Sequence, residues 1–317
     1  MQTSTLPLAI AGAVIAIITT TAPARAQTIS HSWISAAGSG TACTRAAPCG
    51  SFQLAHNATF PGGYISVLDS GDFGNLTISK SITIRAEGVE GGTAAIGGGA
   101  WVVVNAGPSD VVQLEGLHFA GGGIRLDQAA QLHVRNCVIR NNGVSGVSGT
   151  GIVFRPNGVS RLVVTDTAVV NNSTGATGAG ILIQPQAGGS ARVHLERVSA
   201  QGNVFGIVAD GTGSTAGINM TVADSVSSGN TQDGIIAVTP SGGAPIGVYV
   251  KNSKATNNAI GIRSIGPNVT VRVDGSSVIG NGTGLSFSGG GALLTFGNNA
   301  VQANGNNGAF SGSVGLE

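Results

Sequence analysis

A short block recurs along the chain: an apolar residue, any residue, an apolar residue, any residue, then a turn former. It begins at Val112, Leu132, Leu162, Val193, Met220, Val248, Val271 and Leu294, at intervals of 20 to 31 residues. The first and third positions are apolar in every copy, from Val112/Leu114 and Leu132/Val134 to Val271/Val273 and Leu294/Phe296. A period of two with one constant apolar face describes a strand whose alternate side chains enter a core. The fifth position is Gly116, Asn136, Asp166, Arg197, Asp224, Asn252, Gly275 and Asn298, mostly residues that tolerate a left-handed bend. Each strand therefore ends at a corner.

Ten residues after each start stands Gly122, then Asn142, Asn172, Asn203, Asn230, Asn258, Asn281 and Asn304. Asparagine at one register in consecutive repeats predicts stacked amides bonded from coil to coil. A second strand follows, opening with Gly and an apolar residue: Gly123-Ile124, Gly151-Ile152, Gly180-Ile181, Gly206-Ile207, Gly234-Ile235, Gly261-Ile262 and Gly284-Leu285. No such repeat can bury a core alone, so the repeats must stack. A leucine-rich repeat has one strand per period and does not fit two or three strand-like pieces.

Blocks such as MTVADSVSSGNTQDGIIAV from Met220 and VRVDGSSVIGNGTGLSF from Val271 resemble the right-handed parallel β-helix of the pectate lyase-like superfamily. The resemblance covers roughly residues 60 to 310. It implies an all-β solenoid of about ten coils, each rising by the ~4.8 Å strand spacing. It also implies that a groove on one parallel sheet would be the place to bind polysaccharide. It does not single out an activity, because that superfamily holds lyases, hydrolases, epimerases and proteins without a reaction.

Earlier coils are less regular, with Ile65/Val67, Leu76/Ile78, Ile82/Ile84 and residues 101–104. Before them, Ser51 to Ala58 predicts a short helix that plugs the first coil, whose unpaired edge would otherwise invite association. The tail from Gln302 is polar and Gly-rich and shows no comparable plug. Residues 1–26 read as a secretory signal, with an apolar run from Leu6 to Ile18 and Ala24-Arg25-Ala26 as the cleavage pattern, although no Lys or Arg precedes the run. The expected organisation is a signal peptide (1–26), an N-terminal cap (27–60) and the β-helix (61–317). Export would allow Cys43 and Cys49 to close a small disulfide ring, with Cys137 left as a buried core thiol.

Composition narrows the function. The 317 residues include 53 Gly, only 9% are charged, and the net charge of +1 points to neither nucleic acid nor an anionic membrane surface. After signal cleavage no segment is long and apolar enough to span a membrane.

On the Gly-Ile strands the outward columns read Arg125, Val153, Leu182, Val208, Ile236, Arg263, Ser286 and, two residues on, Asp127, Arg155, Gln184, Asp210, Val238, Ile265, Ser288. The apolar stripe Val153, Leu182, Val208, Ile236 is either covered by the chain's own inserts, such as Val144 to Thr150 and Ser173 to Ala179, or a surface for a partner or second copy. Asp127 and Asp210 lie three coils apart, roughly 14 Å, too far for a glycosidase pair. Asp127 with Arg155 and Arg125 comes closest to a lyase centre, and Asp127 with Arg155 reads equally as an ion pair between adjacent coils.

On the first strands Glu115 and Arg135 should pair, and His133 and His194, two coils or roughly 10 Å apart, cannot share a metal. Exposed aromatic rings are few, with Tyr249 outward and Trp33 and Trp101 near the N-terminal end. The favoured reading is a secreted, non-catalytic surface, adhesion or scaffold protein that takes an extracellular polysaccharide or a protein partner through the Gly-Ile sheet and needs no cofactor. The alternative is a lyase or hydrolase of acidic, uronate-type glycans, and only that alternative would call for calcium.

Overall fold

The computed structural model describes residue 2 and residues 29–94, 100–143, 149–175 and 178–315. The signal-peptide segment, except Gln2, and parts of the two inserts at Val144 to Thr150 and Ser173 to Ala179 lie outside the described residues. Three parallel sheets of 12, 10 and 9 strands wind around one core as a β-helix of about ten coils. Among the described residues no helix is long and apolar enough to cross a membrane.

The first sheet carries the repeat strands. Val112, Leu132, Leu162, Val193, Met220, Val248 and Val271 stand in register, one per coil. These residues are at most 5% exposed, so the alternating apolar face is the core face. The last repeat departs from the expected frame, because Leu293 and not Leu294 lies beside Val271. Gly289 and Gly290 both take positive φ and a hydrogen bond runs from Gly291 N–H to Ser288 O, which advances the strand by one residue. The sequence ALLTF supports either frame, and this turn selects between them.

From Gly116 onward each coil turns two corners in the left-handed region. At the first, Asn136, Asp166, Arg197, Asp224 and Asn252 have φ between 47 and 56°. Arg197 is the odd residue in that column. It is held there by Asp166, which accepts from its Nε at 2.6 Å and from its second guanidinium nitrogen at 3.0 Å. Strands of three residues, such as Val138–Arg140 and Val226–Ser228, span the second sheet between the corners.

Asparagines fill the next interior column. The side-chain nitrogen of Asn172 donates to Asn203 Oδ1 at 3.2 Å, and the same bond links Asn203 to Asn230 (3.4 Å), Asn230 to Asn258 (2.8 Å), Asn258 to Asn281 (3.0 Å) and Asn281 to Asn304 (2.9 Å). From Gly151 to Gly284 the glycine opening each Gly-Ile strand lies against this column. A Cβ on Gly180 would stand 2.8 Å from Asn203 Nδ2, and one on Gly234 would stand 2.6 Å from Asn258 Nδ2. A shorter hydroxyl ladder follows the first corner, where Val198 N–H donates to Ser225 Oγ, Ser225 N–H to Ser253 Oγ and Ser253 N–H to Ser276 Oγ. Cys137 occupies the same column, fully interior, and burial pushes its thiol up to about 12.

The third sheet is formed by the Gly-Ile strands, with Ile124, Ile152, Ile181, Ile207, Ile235, Ile262 and Leu285 in register. At the N-terminal end a helix over Phe52–Ala58, capped by Ser51, seats Phe52 edge-on against Phe73 with ring centroids 5.5 Å apart. Cys43 and Cys49 are joined in a disulfide in the loop before it. At the other end the tail closes the last coil without a helix. Gly312–Ser313 pairs with Leu294 and Thr295, Thr283 bridges to Asn306, and Phe310 packs against the core.

Candidate functional site

The third sheet, where sequence reasoning places a site, is largely closed. Val153, Leu182, Val208 and Ile236 are 1 to 9% exposed, and the last three form a small apolar cluster with Ala179, flanked by Phe205, Val238 and Ile265. The stripe is thus packed within the chain and is not an open surface. The expected bond between Asp127 and Arg155 is not formed. Arg125, two residues back on the same strand face, grips both oxygens of Asp127 at 2.8 and 2.6 Å. Arg155 turns instead to Gln186 Oε1 at 3.1 Å, on the loop of the next coil. Asp210 accepts from Gln184 Nε2 at 2.7 Å and from Thr212 N–H at 2.8 Å. Of the four residues weighed for catalysis the structure joins Arg125 to Asp127, and gives Arg155 and Asp210 other partners.

Beside the stripe stands Asp233, 1% exposed. Arg263 Nε lies 3.2 Å from its Oδ1 but is not aligned for a hydrogen bond. Burial outweighs the attraction of Arg263 and pushes the carboxyl from 3.8 up to about 6. The native state therefore holds this proton more tightly than the unfolded chain does. Below pH 3.8 both states are protonated and the group is neutral in the balance. Stability is lost as pH rises towards and through 6, to a full cost of about 3 kcal/mol at neutral pH. Asp233→Asn should raise the melting temperature at pH 7.5 and flatten its dependence between pH 4 and 6. Urea or thermal unfolding across that range checks it, and an unchanged slope would assign the titration elsewhere.

The open, chemically rich surface is the outer face of the first sheet. Arg161 and Arg192 lie side by side in adjacent strands, both exposed. Like charges in directly neighbouring positions repel. Among the described residues no carboxylate forms an ion pair with either. Two residues on, His133, Val163, His194 and Thr221 form the next outward column. Burial, and then the charge of Arg161, hold His133 below the usual imidazole value. Arg161, Arg192, His194, Asn219 and Thr221 line a recess of about 440 Å³.

A second recess of about 220 Å³, nearer the N-terminal end, is lined by Arg85, Gln113, Glu115, His133 and Arg135. Here Glu115 pairs with Arg135, as the sequence predicts, and also with Arg85 Nε at 2.9 Å. Burial would raise the Glu115 carboxyl, but the two guanidinium groups outweigh it and hold it below the usual range. Glu196 meets His194 at 3.3 Å and Arg197, and Asp274 accepts from Tyr249 Oη at 2.5 Å. A calcium ion does not fit these donors. Arginines face the carboxylates of Glu115 and Asp127, Asp166 and Glu196 share Arg197, and among the described residues no three His, Cys, Asp or Glu side chains gather as a cation site.

On this sheet the sequence reading picks out Glu115 with Arg135 and His133 with His194, and passes over the column of Arg161 and Arg192. Arg161 and Arg192 stand one residue before the apolar starts Leu162 and Val193, so the same repeat alignment places them.

No family model and no curated protein matches the sequence. Among solved structures, a pectate lyase, Pel9A, superposes with a TM-score of 0.49 at 15% identity, covering 86% of this chain and 72% of that one. The fold shown by the strand order is a β-helix of three parallel sheets. The likeness extends no further than fold, and no residue role is carried across.

Proposed function

We propose that the protein is an exported, non-catalytic β-helix that holds an acidic polysaccharide along the outer face of its first sheet. The observation that carries this reading is the Arg161/Arg192 pair, two exposed cations in register with no carboxylate paired to them. A polymer of uronate units offers the missing counter-charge at repeated positions, and planar guanidinium groups match carboxylates well. Asn219 in the same column and His133, His194 and Thr221 in the next supply hydrogen-bonding partners. The local engagement of Asp127, Arg125, Arg155 and Asp210 supports a binding role over turnover. The apolar leader in the sequence and the Cys43–Cys49 disulfide support export.

The test is binding of the purified protein to polygalacturonate, followed by calorimetry at two salt concentrations. Arg161→Ala together with Arg192→Ala should weaken binding by about tenfold or more and reduce its salt sensitivity. Binding unchanged in the double variant would refute the assignment. Release of unsaturated or reducing ends by the wild type would replace the non-catalytic reading with the lyase or hydrolase alternative.

A further inference from the structure

The sequence holds only two Trp and two Tyr, and one of each sits on this same face at its N-terminal end. Trp33 and His31, on the strand Ile29–Ile34, stack with ring centroids 3.9 Å apart and planes at 21°. Tyr64, directly beside His31 in the next strand, lies 6.2 Å away ring to ring and is 52% exposed. His31 Nε2 is fixed by Ser66 Oγ at 2.8 Å, which orients the imidazole against Trp33. None of these rings belongs to the buried core. Arg45 lies in the disulfide loop, which is held against this strand where Trp33 N–H donates to Cys43 O at 2.8 Å and Cys49 N–H donates to Trp33 O at 3.0 Å, and its charge, after burial, lowers the His31 pKa. Among the described residues it forms no ion pair.

We infer that Trp33, His31 and Tyr64 form a platform for one acidic sugar ring, with the sugar carboxylate directed to Arg45. The apolar face of a pyranose carries C–H groups whose positive edge suits the negative face of an aromatic ring. Tyr64, Thr83, Gln113, His133 and Val163 form one continuous column along the sheet. Four strand steps, roughly 19 Å, separate the platform from the strand of Arg161. One extended chain can therefore lie on both. The inference rests on the acidic-glycan reading and adds to it a second, aromatic subsite.

The test uses the full chain carrying Trp101→Phe, so that Trp33 is the reporting tryptophan. It is titrated with an oligogalacturonate and with the methyl ester of the same oligosaccharide. Trp33 emission should shift on binding, Tyr64→Ala should weaken the Kd by roughly tenfold, the size of an aromatic stacking contact, and Tyr64→Phe should restore it. Arg45→Gln should reduce the preference for the free acid over the ester, leaving the part that Arg161 and Arg192 supply. If binding depends on Arg161 and Arg192 while Tyr64→Ala and Arg45→Gln bind as the wild type and Trp33 emission is unmoved, the platform is wrong and the arginine site stands. If the wild type binds neither oligosaccharide, both fall together.

Discussion

Val222→Asp is expected to break the β-helix in the middle. Val222 is wholly buried, with Leu195 and Val250 beside it in the neighbouring coils of the first sheet. An aspartate there must either bury a charge or take up a proton, and leaving a buried charge without a partner costs about 3–5 kcal/mol. Solenoid stability is the sum of each coil and its contacts with the two neighbours, so a failed coil also uncouples the stacks on either side. The unfolding curve should shift to much lower urea and lose its single sharp step. A melting curve like the wild type's would show that the inward register assigned to the repeat is wrong.

Asn230→Ala is expected to cost about 2–4 kcal/mol, more than a typical lost hydrogen bond, because the loss spreads over neighbouring coils. The Asn230 side-chain nitrogen donates to Ala200 O, Ser227 Oγ and Asn258 Oδ1, at 3.2, 3.1 and 2.8 Å. Its oxygen accepts from the backbone N–H of Asn203 at 3.0 Å. Alanine leaves that buried N–H and the Ala200 carbonyl without these partners, in a site too enclosed for water to replace them freely. Asn304→Ala, at the half-buried end of the same column, should cost under about 1 kcal/mol because solvent can take over its bonds. Chemical denaturation of the two variants side by side checks the contrast. Equal losses would mean that the column does not act as a chain of linked amides.

Register was legible along most of the chain because two constraints act at once. Alternation fixes which side chains enter the core, and stacking forces each coil to repeat the choice of the one before. The exception proves the physics: Leu293 replaces Leu294 in the core where a glycine turn, not the apolar pattern, sets the frame. Alternation also says which residues leave the core, but not what they meet outside. Leu182, Val208 and Ile236 could be read as outward, yet their burial depends on chain distant in sequence. The partner of Asp127 was likewise undecided, since Arg125 and Arg155 both lie within reach and only side-chain geometry selects Arg125.

The amino-acid sequence by itself therefore determined the coil, its corners and its asparagine column, all of which follow from local periodicity repeated in register. Tertiary structure alone decided which outer face is open. It closed the Gly-Ile sheet over an apolar cluster and the buried carboxyl of Asp233, and left Arg161 and Arg192 facing solvent on the first sheet. The reason is that exposure is a property of everything packed nearby, whereas a strand's alternation is a property of its own residues.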